Sequence, residues 1–224
     1  MGMNAVYKGA GDCPQVIPLF PLTGALLLPR GQMPLNIFEP RYIAMIDDAL
    51  RSGHRLIGMI QPEPDDGRRV EIPPLVRVGC LGRITQFAET GDDRYIISLT
   101  GISRFRVVEE LSVVTPYRQG RVDYEPFAVD FIARSGEEAV DRDGLLKALR
   151  DFAKANDLKI DWKGVHEAPN EALVNALAMM CPFGPREKQA LLEARSLKER
   201  AEVLVAITEI ELARGGGDPD TTLQ

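Results

Sequence analysis

Tyr95-Ile-Ile-Ser-Leu-Thr-Gly-Ile-Ser-Arg-Phe-Arg-Val107 alternates along its length. Tyr95, Ile97, Leu99, Gly101, Ser103, Phe105 and Val107 fall on one side of an extended chain, and Ser98, Thr100, Arg104 and Arg106 on the other. Successive side chains of a strand point to opposite faces, so this pattern predicts a β-strand whose apolar side covers a core. Gly101 interrupts it midway, where a strand glycine marks a bulge or a sharp bend. Upstream, Thr90-Gly-Asp-Asp93 reads as the turn of a hairpin that joins this strand to the apolar run 76–87. Working outward, 16–20, 25–28, 34–38, 56–60 and 117–124 are further strand-like runs. Many short strands separated by turns favour a barrel or a sandwich.

One helix is expected inside this β region. Pro40 suits the first helical position, Tyr42, Ile43, Ile46, Ala49 and Leu50 supply an apolar stripe, and Gly53 closes it. The proline-rich and charged segment 61–74 reads as a long surface loop. After about residue 127 the spacing turns helical. Leu145, Leu149 and Phe152 mark one helix, and Leu173, Leu177 and Met180 a second that Pro182 stops. A short helix starts at Pro185 and carries Leu191 and Leu192. The last opens on a capping box, Ser196 with Glu199, and its stripe is Val203, Ile207 and Ile210. The residues thus predict an α+β chain: a β-rich lobe over 15–125, a lobe of about four helices over 126–214, and flexible termini at 1–14 and 215–224.

The chain has 224 residues, a formal net charge of −6 and 45% hydrophobic residues, which is ordinary for a soluble protein. An acidic balance opposes a protein built to grip nucleic-acid phosphates. Cys13, Cys80 and Cys181 are widely spaced and odd in number, so free thiols and a cytoplasmic location are expected. The apolar run 17–28 is cut by Pro18 and Pro21, unlike a signal peptide, and no run is long enough to span a membrane.

Motifs for chemistry are missing. A P-loop needs Lys after Gly, and no Lys here follows a Gly. Gly79-Cys-Leu-Gly82 lacks the third glycine of a dinucleotide loop and sits in a strand pattern. His166-Glu167 begins like a zinc-protease helix, but Asn170 stands where the second histidine must be. Cys80 and Cys181 read as buried, inert thiols. The adjacent carboxylate pairs, Asp47-Asp48 and Glu109-Glu110 among them, read as water-facing neighbours. No catalytic, metal or cofactor site is therefore expected. Arg outnumbers Lys 20 to 7, and Arg104 and Arg106 share one strand face near Arg83, Arg118 and Arg121. Such a patch either grips a partner or is a solvated outer face; scattered surface charge favours the second.

Ile17-Pro-Leu-Phe-Pro-Leu-Thr-Gly-Ala-Leu-Leu-Leu-Pro29, followed by Pro34-Leu-Asn-Ile-Phe-Glu-Pro-Arg-Tyr42, resembles the opening of the Lon substrate-binding domain. Leu56-Ile-Gly-Met-Ile60, Val78-Gly-Cys-Leu-Gly-Arg-Ile84, Leu99-Thr-Gly-Ile-Ser-Arg-Phe-Arg106 and Asn170-Glu-Ala-Leu-Val-Asn-Ala-Leu177 follow in that family's order. The likeness spans about 15–214 and is closest to freestanding bacterial proteins carrying this domain alone. Two positions depart from it: Arg30 stands where members often have Gly, and Asn36 where they often have His.

The resemblance implies a PUA-like β pseudo-barrel followed by a helical bundle, used to recognise proteins, with the ATPase and Ser/Lys protease segments of full Lon proteases missing. The implied partners are unfolded or client proteins, with a separate protease acting in trans as a further candidate. An RNA-binding role, as in other PUA-like barrels, is the rival reading. The block around Pro40 is the expected contact surface. Phe38 and Tyr42 offer apolar area, each worth about 1.5–3 kcal/mol if buried, and Glu39 faces the positive helix end. Glu39 and Arg41, two apart, are expected to find partners elsewhere. Phe38, Glu39, Arg41, Tyr42, Arg104 and Arg106 are the candidate peptide-binding residues; the same corner also reads as plain packing of helix on barrel.

Overall fold

The computed structural model describes residues 6–64, 72–157 and 159–215. Six strands form one sheet: β1 (Val16–Pro21), β2 (Gln32–Ile37), β3 (Leu56–Ile60), β4 (Val78–Glu89), β5 (Tyr95–Leu111) and β6 (Arg118–Asp123). Their order is β2-β5-β4-β3-β1-β6, and β6 also pairs with β5. The circuit β5-β4-β3-β1-β6 is therefore closed, and β2 hangs on β5 as an edge strand. β1 and β3 run parallel, while the remaining pairs are antiparallel. Helix α1 (Pro40–Arg51) lies between β2 and β3 in the chain, and α2 (Arg142–Ala155), α3 (Trp162–Glu167), α4 (Asn170–Met180), α5 (Pro185–Glu193) and α6 (Leu197–Gly215) follow the sheet.

Alternate residues of the same strands enter two hydrophobic clusters. Leu19, Leu56, Leu81 and Phe105 belong to one, enclosed by the strand circuit. Phe20, Ile57, Cys80 and Leu99 belong to the other, which runs on into Leu146, Val174, Leu191 and Leu204 of the helices. Covered on both faces, β3 is buried at all five positions, and it reads as a continuous apolar run. Phe105 is completely buried, and glycines make room for it. A Cβ on Gly79 would stand 2.5 Å from its ring, and one on Gly58 3.0 Å from it.

Gly101 is a bulge: Leu81 pairs with Ser103 but Gly82 with Gly101, so Ile102 is passed over. The run 25–28, expected as a strand, is instead irregular. Leu26, Leu27 and Leu28 are all buried, so they show no alternation. Their backbone crosses β5 at the bulge, where Leu28 O occupies the space a Cβ on Gly101 would need. Arg30 N donates to Gly101 O at 2.8 Å, and Gly101 N to Gly31 O at 2.9 Å. The hairpin turn at 90–93 forms as expected, with Gly91 and Asp93 at φ 79° and 58°.

The polar side of β5 departs from expectation. Arg104 is 2% exposed, because the 3₁₀ helix Glu125–Phe131 packs over that face of β5 and sets Asp130 against it. Arg83 is buried as well, and Arg118 and Arg121 pair with Glu110 and Glu109 across β5 and β6. Only some of the arginines read as a surface patch lie on a surface. Asp47 and Asp48, expected to face water, accept the hydroxyls of Tyr95 and Tyr117 at 3.0 and 2.8 Å and so dock α1 on the sheet.

Among the described helices, five follow the sheet, one more than expected. The extra one is α3, a single short element capped by Asp161, whose carboxylate accepts from Gly164 N. In α6 the buried positions are Leu197, Arg200, Ala201, Leu204, Ile207 and Thr208, whereas Ile210 is exposed. Ser196 Oγ accepts from Glu199 N as the capping box requires, but the Glu199 carboxylate takes Arg195 N. The amino-terminal stretch, expected to be flexible to residue 14, packs from Tyr7: its hydroxyl accepts from Arg83, Cys13 is buried, and Pro14 O accepts from Tyr124. The expected flexible tail after 215, and the centre of the loop 61–74, lie outside the described residues. No described helix is long and apolar enough to cross a membrane.

Candidate functional site

Helix α4 is apolar almost all round, so its period does not reveal which side is buried. Leu173, Val174 and Ala178 face the core. Met180, read as part of that buried stripe, is 81% exposed. Together with Pro169, Ala172 and Ala176 it makes an exposed apolar strip along the helix, with Met179 half-buried beside it. The backbone of 29–32 rises opposite. Asn175 Nδ2 donates to Pro29 O at 3.2 Å, and Gly31 lies so close to Met179 that a Cβ there would meet its sulfur. Between strip and loop lies a groove of about 350 Å3 that ends at Gln32, the first residue of β2.

Two ion pairs rim the groove. Arg30 holds both carboxylate oxygens of Glu171 through Nε and Nη2 and sends Nη1 to Asp130 O at 2.6 Å. Arg134 Nε donates to Glu137 at 2.6 Å. Glu137 in turn caps α4, taking Glu171 N on its other oxygen at 2.9 Å. Burial works against its ionised form, yet the Glu171 N–H and Arg134 prevail and hold Glu137 below the usual carboxylate range.

Behind the groove lies a buried polar junction. Arg104 makes a two-pronged pair with Asp130 at 2.8 and 2.9 Å and sends Nη1 to Leu192 O and Ala194 O, at the carboxyl end of α5. Its guanidinium also stacks on Phe127. Arg200 donates to Leu191 O and to Asn175 Oδ1, and its Nη2 has no partner among the described residues. Burial, then the neighbouring Arg104, push Arg200 down to about 10. Two guanidiniums thus share one carboxylate, and the negative end of the α5 dipole supplies part of the balance.

The six residues singled out in the sequence do not converge. Phe38, Glu39, Arg41 and Tyr42 do share the corner between β2 and α1. Phe38 is 60% exposed there, whereas Tyr42 is buried against Phe20. Glu39 and Arg41, expected to part, bond to each other at 2.9 Å. Glu39 precedes the helix in an extended conformation, so helical spacing does not apply to it. Arg104 is interior and cannot be a surface contact, while Arg106 is exposed and paired in register with Val78 and Asp123. Sequence reasoning missed Arg30, Met179 and Met180. The adjacent methionines at a helix end were the available signal.

The three thiols are all shifted toward their protonated form. Burial, helped by Asp12, pushes the Cys13 thiol up to about 12, and burial raises Cys80 and Cys181 too. Cys181, expected to be buried, is half-exposed at the end of α4. Among the described residues no three His, Cys, Asp or Glu cluster so as to hold a metal.

Comparison with known proteins gives this geometry a family. The ATP-dependent protease La (LON) substrate-binding domain matches residues 16–209. Lon protease of Anaeromyxobacter dehalogenans is 30% identical over 203 residues, 88% of this chain and 23% of that protein. Lon protease 2 of Sorangium cellulosum is 27% identical over 202 residues, 88% of this chain and 25% of that protein. The chain therefore spans about a quarter of the length of these curated relatives. Among solved structures, a Lon N-terminal domain protein from Xanthomonas campestris overlays with a TM-score of 0.60 at 23% identity, covering 85% of this chain and 97% of that one. The N-terminal domain of Mycobacterium avium complex Lon protease gives 0.63 at 19% identity, covering 87% and 98%. The sheet and helices described above have the Lon N-terminal fold, and the chain belongs to the Lon substrate-binding domain family.

Proposed function

We propose that this chain is a non-catalytic protein-recognition module, and that it takes exposed apolar segments of other polypeptides into the groove beside α4. The exposed strip of Met180, Ala176 and Ala172 carries this reading. Leaving such a strip uncovered forfeits apolar burial worth about 25 cal/mol per Å2, which the side chains of a partner seated in the groove would recover. Methionine is unbranched and polarizable, so Met179 and Met180 can adapt to side chains of different shape. The closed rim pairs keep the floor neutral, which suits apolar cargo. Family membership supports the same reading, since the family is described as substrate-binding. The corner with exposed Phe38 and Arg41 offers a second, shallower contact.

Labelling the methionine methyl groups with 13C and titrating with a reduced, alkylated model protein kept unfolded tests this. Resonances of Met179 and Met180 are expected to shift and the remaining methionines to stay in place. Binding that leaves these two methyls unmoved, or no binding at high micromolar concentration, overturns the assignment.

A further inference from the structure

The rim of the groove is sorted by depth. In each of its two ion pairs the carboxylate is the inner partner: the Arg30 and Glu171 side chains are 37% and 13% exposed, and those of Arg134 and Glu137 are 67% and 13% exposed. Both oxygens of each carboxylate are already engaged. Glu171 takes Arg30 and Arg134 N, and Glu137 takes Arg134 and Glu171 N. Arg134 commits only its Nε, so its outer nitrogens are uncommitted among the described residues. A neutral lining thus turns a cationic edge outward.

The backbone supplies an independent observation. Arg30 and Arg134 both adopt left-handed conformations, with φ of 64° and 65°. A residue with a Cβ is uncommon there, and the position costs of order 1–3 kcal/mol that glycine would not incur. Five described non-glycine residues adopt this conformation, Arg55, Asp93 and Asp157 being the others, and two of the five set a guanidinium beside the groove.

Building on the groove reading above, the geometry points to a specific cargo: an extended apolar segment flanked by Asp or Glu, its apolar side chains on the α4 strip and a carboxylate on the uncommitted outer nitrogens of Arg134, beside Arg30, whose nitrogens already serve Glu171 and Asp130 O. Guanidiniums suit carboxylates because their planar fork offers two parallel donors.

Three peptides with one shared apolar core, flanked by Asp, Asn or Lys, test this, with affinity read by fluorescence anisotropy and location by the Met179 and Met180 methyls. The Asp-flanked peptide is expected to bind roughly five- to tenfold tighter than the Lys-flanked one in low salt, and 0.5 M NaCl is expected to narrow the gap. Arg134→Gly, at a position glycine occupies without strain, should weaken the Asp-flanked peptide about threefold and the Asn-flanked one clearly less. Arg30→Gly should do more, because it also bares Glu171. If all three peptides bind equally at the groove, or the Lys-flanked one binds best, the charge preference is overturned and the groove stands. If none moves the two methyls, both readings fall.

Discussion

The buried junction and the open groove use the same chemistry to opposite ends. Both are built of arginine and carboxylate, and Arg30 joins them by holding Glu171 with one side of its guanidinium and Asp130 O with the other. In the junction, Arg104 and Asp130 are 3% and 6% exposed, so their charges have been taken out of water and depend on each other and on the carbonyls at the end of α5. In the groove the outer charges stay wet and contribute little to stability. One arrangement fastens sheet to helices; the other is free to serve a partner. Burial, not residue type, separates them.

The largest expected effect lies in the junction. Asp130→Ala leaves Arg104 buried without its carboxylate beside a second guanidinium, and should cost about 3–5 kcal/mol by urea unfolding. Arg200→Met removes the guanidinium that is both short of a partner and repelled by Arg104, and should cost under about 2 kcal/mol. Equal losses in the two variants would break the asymmetry argued for the pair.

A middling effect is expected from alkali, acting on the interior and sparing the groove. Cys13 and Tyr117 are each pushed up to about 12, Cys13 by burial and Asp12, Tyr117 by burial and its bond to Asp48; burial raises Cys80 and Tyr124 as well. Groups whose folded value is raised keep their proton while the unfolded chain loses it. Their stabilising contribution is complete below about pH 9 and is lost as pH climbs toward 12. Arg200, lowered to about 10, opposes this only above that pH. Urea midpoints measured from pH 7 to 11 should fall above about 9, and Cys13→Ala should make the fall shallower. A flat profile would deny that these groups are desolvated.

The smallest change in stability is expected at the groove. Met180→Ser should alter unfolding free energy by no more than about 0.5 kcal/mol, because an exposed side chain leaves no cavity. The same variant should weaken capture of the unfolded model protein. A loss of several kcal/mol would mean that Met180 is packed, and the contrast between the two regions would be void.

How much was legible in the sequence follows the same divide. Strand β3 was readable to the residue, because a run of apolar residues between turns has one sensible reading, and α1 was readable because Pro40 and Gly53 punctuate it. The bulge at Gly101 and the turn at 90–93 announced themselves through glycine. What failed was anything set by a distant segment. Arg104 sits on the polar side of an alternating strand, and only the later Asp130 turns that face into an interior. Leu26 to Leu28 look strand-like, yet their backbone is claimed by the bulge of β5. The groove escaped because α4 has apolar residues on every side; which of them stay uncovered depends on where 29–32 passes, and no local period encodes that. Glu39 and Arg41 were judged by helical spacing one residue before the helix begins.

Among the described residues the strand circuit closes everywhere except at β2, which leaves six residues of backbone along an open margin. Pro34 sits within that margin, and a proline nitrogen has no hydrogen to offer. A stray strand laying itself along β2 would find a rung missing, so stacking of one molecule onto another into fibrils is discouraged. On the recognition role proposed above, this chain has reason to keep its own border from becoming a template for its cargo.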